Sequence, residues 1–306
     1  MIIARSTAEL QAALRPVREE ALSRVAFVPT MGSLHEGHIS LLRAAQQPGD
    51  FTVASVFVNP TQFSPGEDFE LYPRDEDRDL ELLDQAGVTL AFVPSVADIY
   101  PVDFATRVLA DPSLTSCLCG ASRGPQHFDG VTSVVARLFG LVTPNSAWFG
   151  EKDWQQLQVV RSMSADIFPG IEIRSGATVR DQDGLALSSR NARLTPSGRL
   201  RASAIPKALL NSQQDNFSPT RTTAEDLLEE ATQAFSSAEI ELDYLQIRDG
   251  QSLQPVSGSI TEAPNARMFI AANLDGVRLI DNVPIFSSPN HQPDRAAAAT
   301  LAGSTR

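Results

Sequence analysis

The chain carries 306 residues with 25 Lys and Arg against 37 Asp and Glu, a formal net charge of −12, and two cysteines. That length suits roughly two domains, each able to bury its own core, while an acidic chain without a Lys/Arg cluster excludes a nucleic-acid partner held by phosphate neutralisation. No apolar run approaches the roughly 18 residues of a membrane helix, and Cys117 and Cys119, one residue apart in S-C-L-C-G without clustered His, exclude a zinc tetrad and a disulfide framework.

Ser6-Thr7-Ala8-Glu9 has the spacing of a capping box and predicts a helix from about Thr7 toward Glu20. Val25 to Val28 reads as a short buried strand stopped by Pro29, and Gly37 to Gln47 carries Ile39, Leu41, Leu42 and Ala45 at helical spacing. The alternation continues with a strand over Phe51 to Val58, a charged helix over Asp75 to Ala86, a strand over Val88 to Val93 and a helix over Gly130 to Val142. Ala147 to Phe149, ending at Gly150, is a further strand, followed by a helix over Trp154 to Phe168 and a strand over Ile171 to Val179. Strands alternating with helices predict an α/β, Rossmann-like, mostly parallel sheet with helices on both faces, whose ligands sit at the strand C-terminal ends.

Beyond about Arg180 the texture changes. Thr195-Pro196 starts a helix with cap and first-turn proline, a second helix runs from about Thr223 to Phe235, and the polar stretch Gln213 to Thr222 between them suits a surface loop. Leu242 to Ile247, Met268 to Asn273 and Val277 to Leu279 read as strands, the last two joined by the hairpin signal Asp275-Gly276. The expected division is therefore 1–180 for the Rossmann-like, ligand-binding domain, 181–286 for a smaller C-terminal α+β lid domain, and 287–306 for a disordered tail without apolar periodicity. The N-terminal MIIARSTAEL lacks a basic stretch followed by a long apolar one, and with no disulfide framework the expected compartment is the reducing cytoplasm.

The strongest chemical signal is P-T-M-G-S-L-H-E-G-H over 29–38, between the first inner strand and its helix. A helix N-terminus offers N–H groups and a positive dipole end to phosphates, and Gly32 and Gly37 let a nucleotide approach the backbone. His35 and His38, one turn apart, can both donate to one polyphosphate, although two histidines could also merely cap the helix. The H-x-G-H resembles the HIGH motif of class I aminoacyl-tRNA synthetases and small nucleotidyltransferases, and Leu187-Ser188-Ser189-Arg190-Asn191 resembles their second, KMSKS-type segment. Small hydroxyls beside one cation suit a mobile loop closing over triphosphate oxygens.

F-V-N-P-T-Q-F over 57–63 and F-G-E-K-D-W-Q-Q-L over 149–157 both follow predicted strands. With the two segments above, the Tyr72-Pro73-Arg74 and His127-Phe128 segments, Leu242-Asp243-Tyr244 and Asp281-Asn282, they closely resemble the pantothenate synthetases, the pantoate:beta-alanine ligases, from about Ile2 to Phe286. Ser33, Thr61, Trp154 and Leu187 are conservative departures, and Arg123-Gly124-Pro125-Gln126-His127 holds one residue more than the family pattern, so no role is carried over for Arg123.

The resemblance implies ATP-dependent condensation of pantoate with beta-alanine through a pantoyl adenylate, with Mg2+ accompanying ATP, and no tightly bound organic cofactor. It implies ATP contacts from Met31, Gly32, Ser33, Leu34, His35, Glu36, Gly37 and His38, from Gly150, Glu151, Lys152 and Asp153, and from Val179, Leu187, Ser188, Ser189 and Arg190. Gln62 would hold pantoate and border the beta-alanine site, with Gln156 and Asn59 also on substrate; neutral amides fix hydroxyls and a carboxylate without shifting charge. His38, His35, Lys152 and Arg190 are the expected catalytic residues. The acidic run 75–79 could offer a magnesium ligand but reads more simply as a solvated face, and the metal ligand stays unassigned. A homodimer through the larger domain is implied, with no nucleic-acid or membrane partner. A simple adenylyltransferase, a catalytically inactive nucleotide-binding protein and a tRNA-charging enzyme are the alternatives; the first leaves F-V-N-P-T-Q-F without a purpose, the second leaves intact His38 and Lys152 without one, and acidic charge disfavours the third.

Overall fold

In the computed structural model, which describes residues 1–20, 23–63, 69–70, 72–213, 223–236, 238 and 240–286, the apolar runs of the first half become parallel strands. These are β1 (Ile2–Ala4), β2 (Arg24–Thr30), β3 (Asp50–Val56), β4 (Leu90–Phe92), β5 (Ser146–Gly150) and β6 (Glu172–Gly176), in the sheet order β1-β4-β3-β2-β5-β6. The helices between and after them are α1 (Thr7–Glu19), α2 (Glu36–Ala45), α3 (Glu76–Gln85), α4 (Val96–Ile99), α5 (Pro112–Thr115), α6 (Leu118–Arg123), α7 (Pro125–Val142) and α8 (Trp154–Ile167).

Side-chain alternation explains how this sheet is covered. Val25 and Phe27 of β2 and Ala147 and Phe149 of β5 turn to one face, where they pack with Leu10 and Leu14 of α1, Phe139 of α7 and Leu157 of α8. Ala26 and Val28 of β2 and Trp148 of β5 turn to the other, against Leu42 of α2 and Leu83 of α3. Both faces being buried, the strands read as continuous apolar runs. The chain leaves β2 toward β3 on one side and later returns to place β5 on the other. The crevice at that reversal, outside the strand C-terminal ends, is where open α/β sheets bind ligands.

The second half builds α9 (Pro196–Ala202), α10 (Ala204–Asn211), α11 (Ala224–Ser236) and an antiparallel sheet of β7 (Glu241–Asp249), β8 (Ala266–Leu274) and β9 (Val277–Pro284). Asp275 and Gly276 join β8 to β9 with φ of 51° and 78°, the left-handed pair that a two-residue hairpin turn requires. Met268, Ile270 and Ala272 of β8 pack with Ile205 and Leu209 of α10 and Leu227 of α11. Phe269 faces the opposite way and meets Leu118 of α6 and Trp154 of α8, so this sheet lies against the first unit.

Several elements differ from their sequence reading. The strand β1 is a three-residue edge strand paired with β4, too short to show alternation. The helices α4, α5 and α6 span only four to six residues, between one and two turns and too short for an apolar spacing to repeat. The expected Gly130 helix begins earlier, at Pro125, where a first-turn proline costs no hydrogen bond. The expected strand 171–179 stops at Gly176, and Val179 instead accepts from the Leu187 N–H at 2.9 Å as the chain doubles back. The linker residues 214–222 and the tail 287–306 lie outside the described residues. Among the described residues, no helix is long and apolar enough to cross a membrane.

Candidate active site

After β2 the chain bends back over the sheet edge through Gly32 and Ser33, at φ of 80° and 51°. A Cβ on Gly32 would lie 2.8 Å from Asp79 Oδ2, so both the backbone and the space require glycine. Asp79 of α3 is 2% exposed and accepts from the Ser33 N–H at 2.8 Å and the Leu34 N–H at 2.7 Å. The run 75–79 is therefore not uniformly a solvated face: Asp79 turns inward and holds the loop by charge-assisted hydrogen bonds.

The same loop delivers the two imidazoles. His35 Nδ1 accepts from the Gly37 N–H and His38 Nδ1 from the His35 N–H, each at 3.2 Å, a reciprocal cap on α2. With both Nδ1 atoms accepting, the proton of each neutral ring sits on Nε2. Capping and ligand binding are thus compatible, since the cap uses Nδ1 and a ligand would use Nε2–H. The rings lie 4.1 Å apart, centre to centre, tilted by 38°. Burial pulls His35 down to about 4, with the nearby Lys152 cation adding to the effect. Burial likewise takes His38 to about 3, helped by His35 and Lys152. Both rings are uncharged hydrogen-bond donors at neutral pH.

These depressed values fix a pH dependence. Between the ordinary imidazole value of 6.5 and the folded values of about 4 and about 3, the unfolded chain binds protons that the folded chain does not. Stability is complete above 6.5 and declines as pH falls through that window. In urea titrations from pH 7 to pH 4, the wild type is expected to lose more stability than His35→Ala/His38→Ala; equal losses would show that the fold does not hold the rings neutral.

The other motif segments converge on the same edge. A cleft of about 600 Å³ is walled by Met31 and Gln62, by Lys152, Asp153 and Gln156, and by Ser188 and Arg190, a size suited to small-molecule ligands. Asn59 is 1% exposed behind Gln62; its Nδ2 donates to Gln62 Oε1 and Gly130 O, both at 3.1 Å, and its Oδ1 accepts from Tyr100 Oη at 2.8 Å. Gln62 Nε2 donates to the Met31 sulfur at 3.1 Å, a weak acceptor that a substrate oxygen could replace. Lys152, with its side chain 18% exposed, lies 3.9 Å from Asp153. A Cβ on Gly37 would lie 3.9 Å from Leu187 Cβ, which brings the two nucleotide motifs together, and Tyr72 hydrogen-bonds Ser189 beside Arg190, burial keeping its hydroxyl protonated.

The sequence profile described as pantoate-beta-alanine ligase matches residues 2–284. The chain belongs to the pantoate-beta-alanine ligase family. It is 44% identical over 289 residues to the pantothenate synthetase of Acidiphilium cryptum, covering 93% of this chain and 100% of the relative. It is 47% identical over 283 residues to that of Thermus thermophilus, covering 92% and 98%. The solved pantothenate synthetase from Thermus thermophilus superposes with a TM-score of 0.86 at 44% identity over 94% of this chain and all of that one. A Francisella tularensis pantoate-beta-alanine ligase solved with beta-gamma ATP and beta-alanine gives 0.77 at 34% identity over 93% and 98%.

Within this family member, some residues expected at the ligands sit back from the cleft. Glu36 pairs with Arg43 at 2.7 Å on the outer face of α2. Glu151 is 7% exposed and accepts from Ser175 Oγ at 2.9 Å. Gly150 closes β5 opposite Gly176 of β6, and Val179 anchors Leu187. Conversely, Cys119 belongs to α6 and lines the cleft, its sulfur 3.2 Å from Tyr244 Oη. His127 also lines it, with Nδ1 donating to Gln62 O at 2.9 Å. The sequence names Asp79 only within the acidic run and His127 only within the His127-Phe128 segment of the resemblance; neither receives a role of its own, since neither has a partner at a telling spacing.

Proposed function

We infer that this chain condenses pantoate with beta-alanine in two steps, consuming ATP and releasing AMP and pyrophosphate. The observation that carries the reading is one cleft lined by Lys152, Arg190 and the two amides Gln62 and Gln156, with the histidine pair outside its lining but near enough to Lys152 to feel its charge. A carboxylate oxygen of pantoate attacks the α-phosphorus, and the bond to the bridging oxygen breaks, giving pantoyl adenylate and pyrophosphate. The beta-alanine amine then attacks the acyl carbon, the bond to the adenylate oxygen breaks, and pantothenate, AMP and a proton are released.

Lys152 and Arg190 are assigned to the charge that builds on the phosphates. His38, supported by His35, donates a hydrogen bond from Nε2–H to the departing pyrophosphate; with values near 3 and 4 neither ring carries a proton to give up at neutral pH. Gln62 and Gln156 orient pantoate without adding charge that would compete with its carboxylate. Mg2+ would arrive on ATP, held chiefly by phosphates and waters; among the described residues no cluster of three acidic, His or Cys side chains exists for a protein cage, and Asp153 is one of the carboxylates lining the cleft that could offer a single contact. Bound with ATP, the ion would supply charge neutralisation.

The acyl adenylate would hydrolyse if wetted, so the unit after residue 180 is proposed to act as the lid. Cytoplasmic placement and a homodimer through the larger unit complete the reading on family resemblance. The test is AMP and pyrophosphate release with ATP and pantoate, with and without beta-alanine. Repeated turnover to AMP and pantothenate only with both substrates supports the ligase; pyrophosphate indifferent to beta-alanine would mean simple adenylyl transfer, and silence an inactive binder. Gln62→Ala is expected to raise the pantoate KM roughly tenfold to a hundredfold, the loss of one to two hydrogen bonds, and the ATP KM far less. Equal effects on both substrates would remove Gln62 from pantoate.

A further inference from the structure

The segment carrying Lys152 follows a strand of the large sheet, yet its main chain is gripped from the small one. Asn282 of β9, 4% exposed, donates from Nδ2 to the carbonyl of Glu151 at 3.0 Å and to that of Lys152 at 2.8 Å. Its Oδ1 accepts from Arg267 of β8. The Arg267 guanidinium in turn lies 3.5 Å from the centre of the Trp154 ring, and Trp154 Nε1 donates to Gly250 O at 2.6 Å. Asn282 is itself fixed: its N–H donates to Asp281 Oδ1 at 2.8 Å, and Arg180 holds that carboxylate at 2.6 and 3.0 Å.

One amide bound to two successive carbonyls makes both peptide planes face the same way. That restricts the backbone dihedrals at Lys152 and with them the direction in which its Cα–Cβ bond leaves the chain. The chemistry of the clamp is selective. Aspartate at 282 has no donor for either carbonyl, and lysine or arginine would place a further cation beside the triphosphate. Asparagine supplies the hydrogens without charge while its oxygen still engages Arg267.

We propose that Asn282 is a positioning residue for adenylation, which aims Lys152 at ATP from the second unit and so makes the first chemical step depend on that unit being seated. The proposal rests on the assignment of Lys152 to the triphosphate. A purely structural tie would also lower activity on removal, but it would do so whether or not Lys152 were present. A double-mutant cycle separates the two.

The readout is the single-turnover rate of pyrophosphate release from ATP and pantoate in the full chain, for wild type, Asn282→Asp, Lys152→Ala and the double variant. Asn282→Asp keeps an oxygen for Arg267 and loses the donor. It is expected to slow release about tenfold to a hundredfold with the pantoate KM within about threefold of wild type. In the Lys152→Ala background the same change should cost less than about threefold. Asn282→Ala, which adds no charge, should repeat the pattern and serves if the aspartate variant does not fold. A full, multiplicative effect of Asn282→Asp without Lys152, or no effect with it, overturns the proposal. A Lys152→Ala protein as fast as wild type instead overturns the assignment of Lys152 on which it rests.

Discussion

Turnover of His38→Ala is expected to fall about 10²- to 10³-fold, with the thermal unfolding midpoint lowered only modestly. The ring does two separable things. Through Nδ1 it caps the His35 N–H at 3.2 Å, and losing such a cap costs about 1 kcal/mol. Through Nε2–H it would meet the oxygens on which charge develops as pyrophosphate leaves, where a preorganised donor in a site shielded from water is worth far more than in solution. Because burial holds the ring neutral to about pH 3, the activity of the wild type should show no limb from His38 titration between pH 5 and pH 8. His38→Gln, which keeps an amide donor on a longer side chain, should recover part of the loss. A His38→Ala enzyme with wild-type kcat would remove the ring from the reaction.

Lys152→Ala is expected to reduce kcat/KM about 10²- to 10³-fold, through loss of one charge stabiliser in the transition state. The side chain is mostly buried, 3.9 Å from Asp153, and its field lowers both histidines. Removing it should therefore raise the values of His35 and His38 while it slows the reaction. Ring-proton NMR titration of the variant checks this, since a lysine remote from the rings would leave those titrations in place. Unchanged kcat/KM would contradict the role given to Lys152, and histidine values unmoved by the substitution would place its charge away from the rings.

The parallel sheet is legible in the sequence because it is buried on both faces: Val25 to Val28 and Ala147 to Phe149 each read as an unbroken apolar run, and the intervening helices keep clean periodicity. The hairpin at Asp275-Gly276 is legible because its turn needs two left-handed residues. The histidine pair and Lys152 are legible because their segments sit directly after strands, where a parallel sheet must put its ligands. What escapes are side chains whose partners are remote in sequence. Asp79 reaches a loop 45 residues earlier, Asn282 a segment 130 residues earlier, and nothing local in either sequence marks the contact. Asn59 shows the complementary limit: its motif points to substrate, but its amide is engaged by Gln62 and Gly130. The motif therefore preserves the shape of the site as well as its contacts.

In the adenylate route an oxygen of pantoate becomes bonded to the α-phosphorus of ATP. Running the complete reaction with pantoate labelled with oxygen-18 in both carboxylate positions and weighing the products follows that oxygen. The adenylate route predicts that each AMP carries one labelled oxygen, that pyrophosphate carries none, and that the amide carbonyl of pantothenate keeps the other. Unlabelled AMP with label in inorganic phosphate or pyrophosphate would mean attack at another phosphorus and would rule out a pantoyl adenylate.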